Sequence, residues 1–460
     1  MAWIVKLVSI GAAGDERSTE VMRIARPDDL TDLATLGLTM AEGKQILAGV
    51  QQELVAAQAR RHAVRRPACR SCCSTTCRVK DYRQRAIATL FGQVAVRLPR
   101  YCCVGCGVTE AGLGWPSHIR STPELDRLRA QFAALMPYRT AAEVLGQVFP
   151  VDAGADPETL RRHTFKIAEA LPAQVTMKPL PTGAEAIVVT LDSTFIRSCE
   201  AGERRLEVRI GNVETASGRR QVFGAVAKTD TDLAGLIRRS LDAVGRTEGT
   251  ALTAFTDGCP GLRRILLDAG VKGLPILDWF HVAMRLQHLT QIAGGLLSDG
   301  PERAAAKAVI VEEVERLRWR LWNGKAKDAK VSIDRIRAVM HHFHGEPGSR
   351  RSRRSITPSR KLWTALQALD GYLVGQSDRL VDYGERHRAG LRVGTALTEG
   401  TANFLVNRRM NKSQQMRWSR RGADRLLQVR CAVYNGTFGA SFGQRFFAAN
   451  DALPKVAAAA

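Results

Sequence analysis

The stretch Ala186-Ile187-Val188-Val189-Thr190-Leu191-Asp192 decides how the chain is read. It is an apolar run rich in β-branched residues that ends in an acid. Before it, Pro172, Pro179, Pro181 and Gly183 break any periodicity and mark a domain boundary. Arg205–Ile210 then alternates, with Leu206, Val208 and Ile210 on one face, and Val222–Ala227 supplies a third strand. A helical pattern over Leu233–Val244, a strand at Ala251–Thr256, a helical Leu262–Ala269 and a short strand at Pro275–Leu277 complete an α/β layout.

Working outward, the strands stop from about Gly300 to Gly390. There Ile310, Val314, Leu317 and Leu321, then Ile333, Ile336, Val339 and Met340, form helical stripes. Thr395–Ala449 is helical and basic, and residues 450–460 read as a tail. Upstream, residues 117–171 are helical, with Asp156 as N-cap and Pro157 as first helical residue of a helix-turn-helix-like DNA-binding domain. Residues 67–110 hold two strands meeting near Phe91-Gly92, and residues 1–66 read as an N-terminal helical region.

Composition narrows the function. The chain has 460 residues with Lys+Arg 68 against Asp+Glu 45, a formal charge of +23, and 54 of the cations are arginine. A guanidinium-rich surface suits phosphate oxygens, so a nucleic-acid partner is expected. No run approaches the 18 or so apolar residues of a membrane span, and Met1–Ala13, with Lys6 inside it, does not read as an export signal. Secreted and membrane classes are not expected.

Seven of the ten cysteines crowd between Cys69 and Cys106. Cys69-x2-Cys72 and Cys103-x2-Cys106, flanking a two-stranded pattern, match a zinc ribbon in which two knuckles close a tetrahedral site around structural Zn2+. Cys73, Cys77 and Cys102 are alternative ligands on spacing alone. Three dispersed acids form a second constellation: Asp192 ends the first strand, Asp257 follows the fourth, and Glu399 begins a later helical segment. Carboxylates gathered at strand ends are what two-metal phosphoryl transfer requires.

Local words then carry a resemblance. Leu191-Asp192-Ser193-Thr194-Phe195, Thr256-Asp257-Gly258, Leu277-Asp278-Trp279-Phe280-His281 and Glu399-Gly400-Thr401-Ala402-Asn403, with Asn407-Arg408-Arg409-Met410, resemble DDE transposases of bacterial insertion sequences. Met416-Arg417-Trp418-Ser419, followed by Gly422-Ala423 and Leu426-Leu427, looks like the ISKra-type group, related to Mutator-like transposases. Phe91-Gly92 and Leu98-Pro99-Arg100 in the ribbon are similar to that group too. The likeness spans roughly residues 69–445. Where relatives carry Pro-Ile-Gly-Thr or Pro-Ile-Gly-Ser, this chain has Arg392-Val393-Gly394-Thr395.

The resemblance implies an α/β fold with an RNase H-like catalytic core in two parts, 186–299 and 391–449, separated by an α-helical insertion at 300–390. It implies Asp192, Asp257 and Glu399 as the catalytic acids, holding two Mg2+ or Mn2+ ions, with Asp278 and His281 as active-site support. The activity implied is binding of terminal inverted repeats, cleavage of element ends and joining of the 3'-OH to target DNA, by a homodimer or larger assembly on the bacterial nucleoid in the cytoplasm. The DNA contacts expected are Arg161, Arg162 and Lys166 on the helix after Asp156; Arg350, Arg351, Arg353 and Arg354 in the insertion; and Arg408, Arg409, Lys412, Arg417, Trp418, Arg420 and Arg421 after Glu399. Two alternatives stay open: a nuclease of the same core that does not join strands, and a catalytically silent zinc-ribbon DNA-binding regulator.

Overall fold

The computed structural model describes residues 1–10, 14–29, 32–111, 119–151, 156–171, 185–343, 357–394, 400–411 and 416–438. The chain forms two compact units, Met1–Val175 with Ala432–Ala460, and Thr176–Cys431.

The first unit begins with a β-hairpin, β1 (Ala2–Ile10) and β2 (Glu16–Ala25), paired antiparallel with a bulge at Val5/Lys6. This corrects the expectation of a helical residue 1–66 region. Trp3, Ile4, Val5, Leu7, Val8 and Ile10 are β-formers, and the helical reading rested only on the sequence after residue 28. That part holds: α1 (Met40–Val64) opens with a reciprocal Thr39–Glu42 capping box. Next come β3 (Cys77–Thr89), β4 (Gly92–Cys103) and the short β5 (Thr109–Glu110), an antiparallel sheet in that order.

Val55 and Ala59 of α1 pack on Val94, Val96 and Leu98 of β4. Leu90, at the β3–β4 turn, enters the core of α2 (Pro123–Leu135), α3 (Tyr138–Val148) and α4 (Pro157–Ala170). The three sequence segments 1–66, 67–110 and 117–171 therefore fold as one unit, because none buries enough apolar surface by itself. Asp156 caps α4 as expected, accepting from Thr159 N at 2.8 Å, and Pro157 is in its first turn.

In the second unit, β6 (Ile187–Arg197), β7 (Arg205–Thr215) and β8 (Arg220–Val226) form an antiparallel meander. Then α5 (Leu233–Ala243), β9 (Leu252–Thr256), α6 (Pro260–Asp268) and β10 (Ile276–Leu277) add parallel strands on the other side of β6. The sheet order is β10-β9-β6-β7-β8. One face, with Val189, Leu191, Val213 and Ala254, is buried with α5 and α6.

The helices α7 (Trp279–Gly294), α8 (Pro301–Trp322), α9 (Ala326–Val339) and α10 (Pro358–Gly375) share a second core. The helical subdomain thus begins at α7, upstream of the expected boundary at 300, because Val282, Leu286, Leu289 and Ala293 face α8 and α10. After α11 (Tyr383–Arg388), a nine-residue π-helix (Asn403–Asn411) and α12 (Arg420–Tyr434) end the described architecture. The tail, residues 450–460, lies outside the described residues. No described helix is long and apolar enough to cross a membrane.

Candidate functional site

Register places the acids. Leu191 pairs with Thr256, and Thr256 with Leu277, across three adjacent parallel strands. Asp192, on the sheet face opposite α5 and α6, Asp257 and Asp278 are each the next residue; the latter two stand just past the ends of β9 and β10, near enough for their charges to act on the Asp192 carboxyl. Alternation puts Thr190, Ile210 and Asn212 on that same face. Asp192 does not end its strand: β6 continues to Arg197 against β7, and only its parallel pairing stops at Leu191.

Burial pushes the Asp192 carboxyl up to about 6; the His281 imidazole beside it and the Ser193 N–H pull it down, and Asp257 and Asp278 push it further up. Asp278 is fully buried. Its Oδ1 accepts from Phe280 N at 2.9 Å, capping α7, and its Oδ2 lies 3.0 Å from His281 Nδ1. Burial lowers the His281 pKa, but the Asp278 hydrogen bond and the charges of Asp192, Asp278 and Asp257 outweigh it, leaving the net shift upward. The capping role and the acidic-site role thus coincide in one residue.

The turn that carries Asp257 is clasped from α10 and the segment after it. Asp257 Oδ1 accepts from Cys259 N at 2.8 Å. Gly258 has φ +92, and a Cβ there would lie 2.8 Å from Gln376, so only glycine fits. Tyr372 Oη donates to Asp257 O at 2.9 Å, Gln376 Nε2 to Gly258 O at 2.9 Å, and Arg379 Nη1 to Gly258 O at 3.3 Å. Tyr383 Oη holds Leu277 O at 2.7 Å, and Arg285 lies 4.1 Å over the Tyr372 ring. Sequence reasoning missed these five residues, since no local pattern marks a side chain that acts from a separate helix.

Glu399 lies outside the described residues, but its flanks do not. Trp279 N donates to Val393 O at 3.2 Å, and a Cβ on Gly394 would come within 2.7 Å of Asp278 Oδ1. On the other flank Thr401 is fully buried; Asn212 Nδ2 donates to its Oγ1 at 3.4 Å, and Arg220 donates to the same oxygen. From Thr401 the chain runs beside β6 until Asn411, whose Nδ2 donates to Phe195 O at 2.9 Å.

The cysteines form a second site. Sγ atoms of Cys69, Cys72, Cys103 and Cys106 all lie within 4.8 Å of one another; among the described residues this is the group of three or more such donors gathered that closely. Cys69–Cys106 and Cys72–Cys103 separations are 3.6 and 3.5 Å, close to the edge of about 3.8 Å that a tetrahedron of zinc–sulfur bonds gives. These four can hold a structural zinc ion. The backbone N–H of Cys106, with the thiol of Cys72, holds Cys103 down at about 6 despite burial. Val108 N–H favours the Cys106 thiolate, yet the thiols of Cys72 and Cys69 push it up to about 12. Four thiolates this close need a cation between them.

The knuckles match bond for bond. Cys73 N donates to Cys69 O and Cys69 N to Ser74 O, as Gly107 N does to Cys103 O and Cys103 N to Val108 O. Cys73 (φ 58) stands where the other knuckle has Gly107 (φ 72), which makes it an exposed turn residue outside the ligand set.

No protein-family model matches the chain, and no curated protein does.

Of the expected DNA contacts, several point inward. Trp418 is buried and its Nε1 donates to Met410 O at 3.1 Å; Arg409 is buried with its guanidinium 5.4 Å from the Trp418 ring. Arg420 donates to Ala227 O at 2.5 Å and pairs with Glu203. These three lock the π-helix and α12 to the sheet, a role their charge did not reveal. Arg408, Arg417 and Arg421 are exposed. On α4, Arg162 and Lys166 are exposed, while Arg161 pairs with Glu158 at 2.6 Å and stacks on Phe165. Arg350, Arg351, Arg353, Arg354 and Lys412 lie outside the described residues.

Proposed function

We propose that this protein is a DNA transposase with an RNase H-like core, in which Asp192, Asp257 and Glu399 are the catalytic acids. The observation that carries the reading is the levelling of Asp192, Asp257 and Asp278 at matched positions on three neighbouring parallel strands. A carboxyl pushed up to about 6 inside that group favours a bound cation over three bare charges. Divalent ions held by these acids would, when bound, supply activation of the attacking oxygen and stabilisation of the departing one.

The chain's own residues do the rest. Asp278 fixes the His281 ring through Nδ1, leaving Nε2 to face substrate. The Tyr372–Gln376–Arg379 clasp holds the Asp257 turn against displacement when a duplex is bound. Exposed Arg408, Arg417 and Arg421, after Glu399, bind the phosphate backbone, and α4 with Arg162 and Lys166 reads the element's ends. The zinc site holds β3 and β4 to the preceding knuckle.

The test incubates the full chain and Asp192→Asn with Mg2+ or Mn2+ and duplex DNA carrying the sequences that flank the protein's own gene. Cleaved and joined strands from the wild type alone support the proposal. Cleavage without joining moves the assignment to a nuclease, and binding without cleavage by either moves it to a silent regulator.

A further inference from the structure

The outer face of the cysteine-bearing sheet has a composition that metal binding does not explain. In the β3–β4 register, Gln84 pairs with Arg97 and Ala86 with Ala95, on the face opposite the Val94, Val96 and Leu98 that pack on α1. All four of those outward residues are exposed. Tyr82, two residues before Gln84 and on the same face, is 47% exposed, and the Arg97 guanidinium lies 5.0 Å from its ring centroid. The ring and the guanidinium over it together present a planar, half-exposed surface to solvent.

The electrostatics point one way. The two strands carry Arg78, Lys80, Arg83, Arg85, Arg97 and Arg100 against one acid, Asp81, which already accepts from Arg100 Nε at 2.6 Å; Arg97 shares the outer face with Tyr82, while Arg83 and Arg85, opposite Leu98 and Val96, stand on the α1 side. The Arg60–Arg70 stretch, also rich in arginine, leads into the same sheet. Pro99 stands opposite Tyr82 in the register, and beyond the Gln84–Arg97 pair the small Ala86–Ala95 pair continues the same face. A flat sheet with one ring, a stacked guanidinium and surrounding cations is the arrangement that takes a nucleobase by stacking and the adjoining phosphates by charge.

We infer that the outer face of β3 and β4 binds single-stranded nucleic acid, with an unpaired base stacked on the Tyr82–Arg97 pair. Duplex contact through phosphates would use the cations but leave the ring without a task. The inference deepens the proposed function and rests on its nucleic-acid reading, since ends being cut and joined expose unpaired nucleotides; it does not depend on the acids.

Fluorescence anisotropy of a labelled 20-nucleotide single strand and of the matching duplex, with the full zinc-loaded chain, tests it. Tyr82→Ala is expected to weaken single-strand binding about tenfold and duplex binding about twofold or less, with Tyr82→Phe close to wild type and zinc content unchanged. Arg97→Ala is expected to weaken both and to reduce the salt dependence. Equal single-strand affinity for wild type and Tyr82→Ala overturns the inference, as does an equal loss for both probes. Both probes are measured without added Mg2+ or Mn2+, so that the outcome does not depend on whether the chain cleaves DNA.

Discussion

The cysteine cluster and the acidic cluster are assembled in opposite ways. Four thiols come from two knuckles of the same local design, joined by one antiparallel hairpin. The acids come from Asp192, Asp257 and Asp278 on three strands separated by helices, and are levelled only by parallel register. A site closed by a hairpin is largely written in spacing, because antiparallel neighbours need only a turn between them. A site on parallel strands is written in topology, because each strand returns through a crossover of unrelated sequence.

The largest expected effect tests the local half of that contrast. Cys69→Ser should abolish zinc binding, taking zinc content from about one ion per chain to none, and should expose β3 and β4 amides to hydrogen exchange, since structural zinc supplies about 10 kcal/mol or more to small sites. Retained zinc with only three thiols would show that Cys73 or Cys77 substitutes, against the matched knuckles. The corresponding break in the topological half is Asp278→Ala, which removes both the α7 cap and the His281 partner. A loss of about 3 kcal/mol in the stability of α7, read by hydrogen exchange, is expected.

The pH dependence is the next largest. Asp192 has its pKa raised to about 6 and His281 is also shifted up, so the folded state binds extra protons. Their stabilisation is present at low pH and is lost as pH rises, for Asp192 between about 4 and 6 and for His281 through its raised value. Without divalent ions this contribution should be lost across that window, so Asp192→Asn should gain thermal stability relative to wild type as pH rises from 4 to 7, and Mg2+ should reduce the difference at pH 7. An Asp192→Asn advantage over wild type that does not grow from pH 4 to 7 in chelator would contradict the carboxyl environment described for Asp192. The smallest effect sharpens the knuckle match: Cys73→Gly should gain about 1 kcal/mol by relieving a left-handed non-glycine residue, without changing zinc content, as measured by chemical denaturation.

What the sequence made legible follows the same division. The two Cys-x2-Cys pairs, the capped α4 and the strand–helix alternation after residue 186 are local patterns, and each is found where spacing put it. The β1–β2 hairpin escaped because an exposed two-stranded ribbon has no buried face to impose a clean alternation. Arg409 and Arg420 read as DNA contacts because charge is visible in sequence and burial is not, and Trp418 because a stacking ring and a core ring are the same residue. In the structure Arg409 lies over Trp418 and Arg420 binds the Ala227 carbonyl. The double role of Asp278 is not legible in sequence, because a helix cap and a site acid leave the same trace, an Asp after a short strand. Its level with Asp192 and Asp257 appears only when Leu277 and Leu191 are both seen paired to Thr256.

The most direct measurement of the central claim is Mn2+ binding to the full zinc-loaded chain, followed by electron paramagnetic resonance, for wild type, Asp192→Asn and Asp257→Asn. The acids acting as one site predict Mn2+ bound by wild type and weakened at least tenfold by either substitution, with zinc retained. Mn2+ binding unchanged in both variants would contradict the site and the strand chemistry assigned to it.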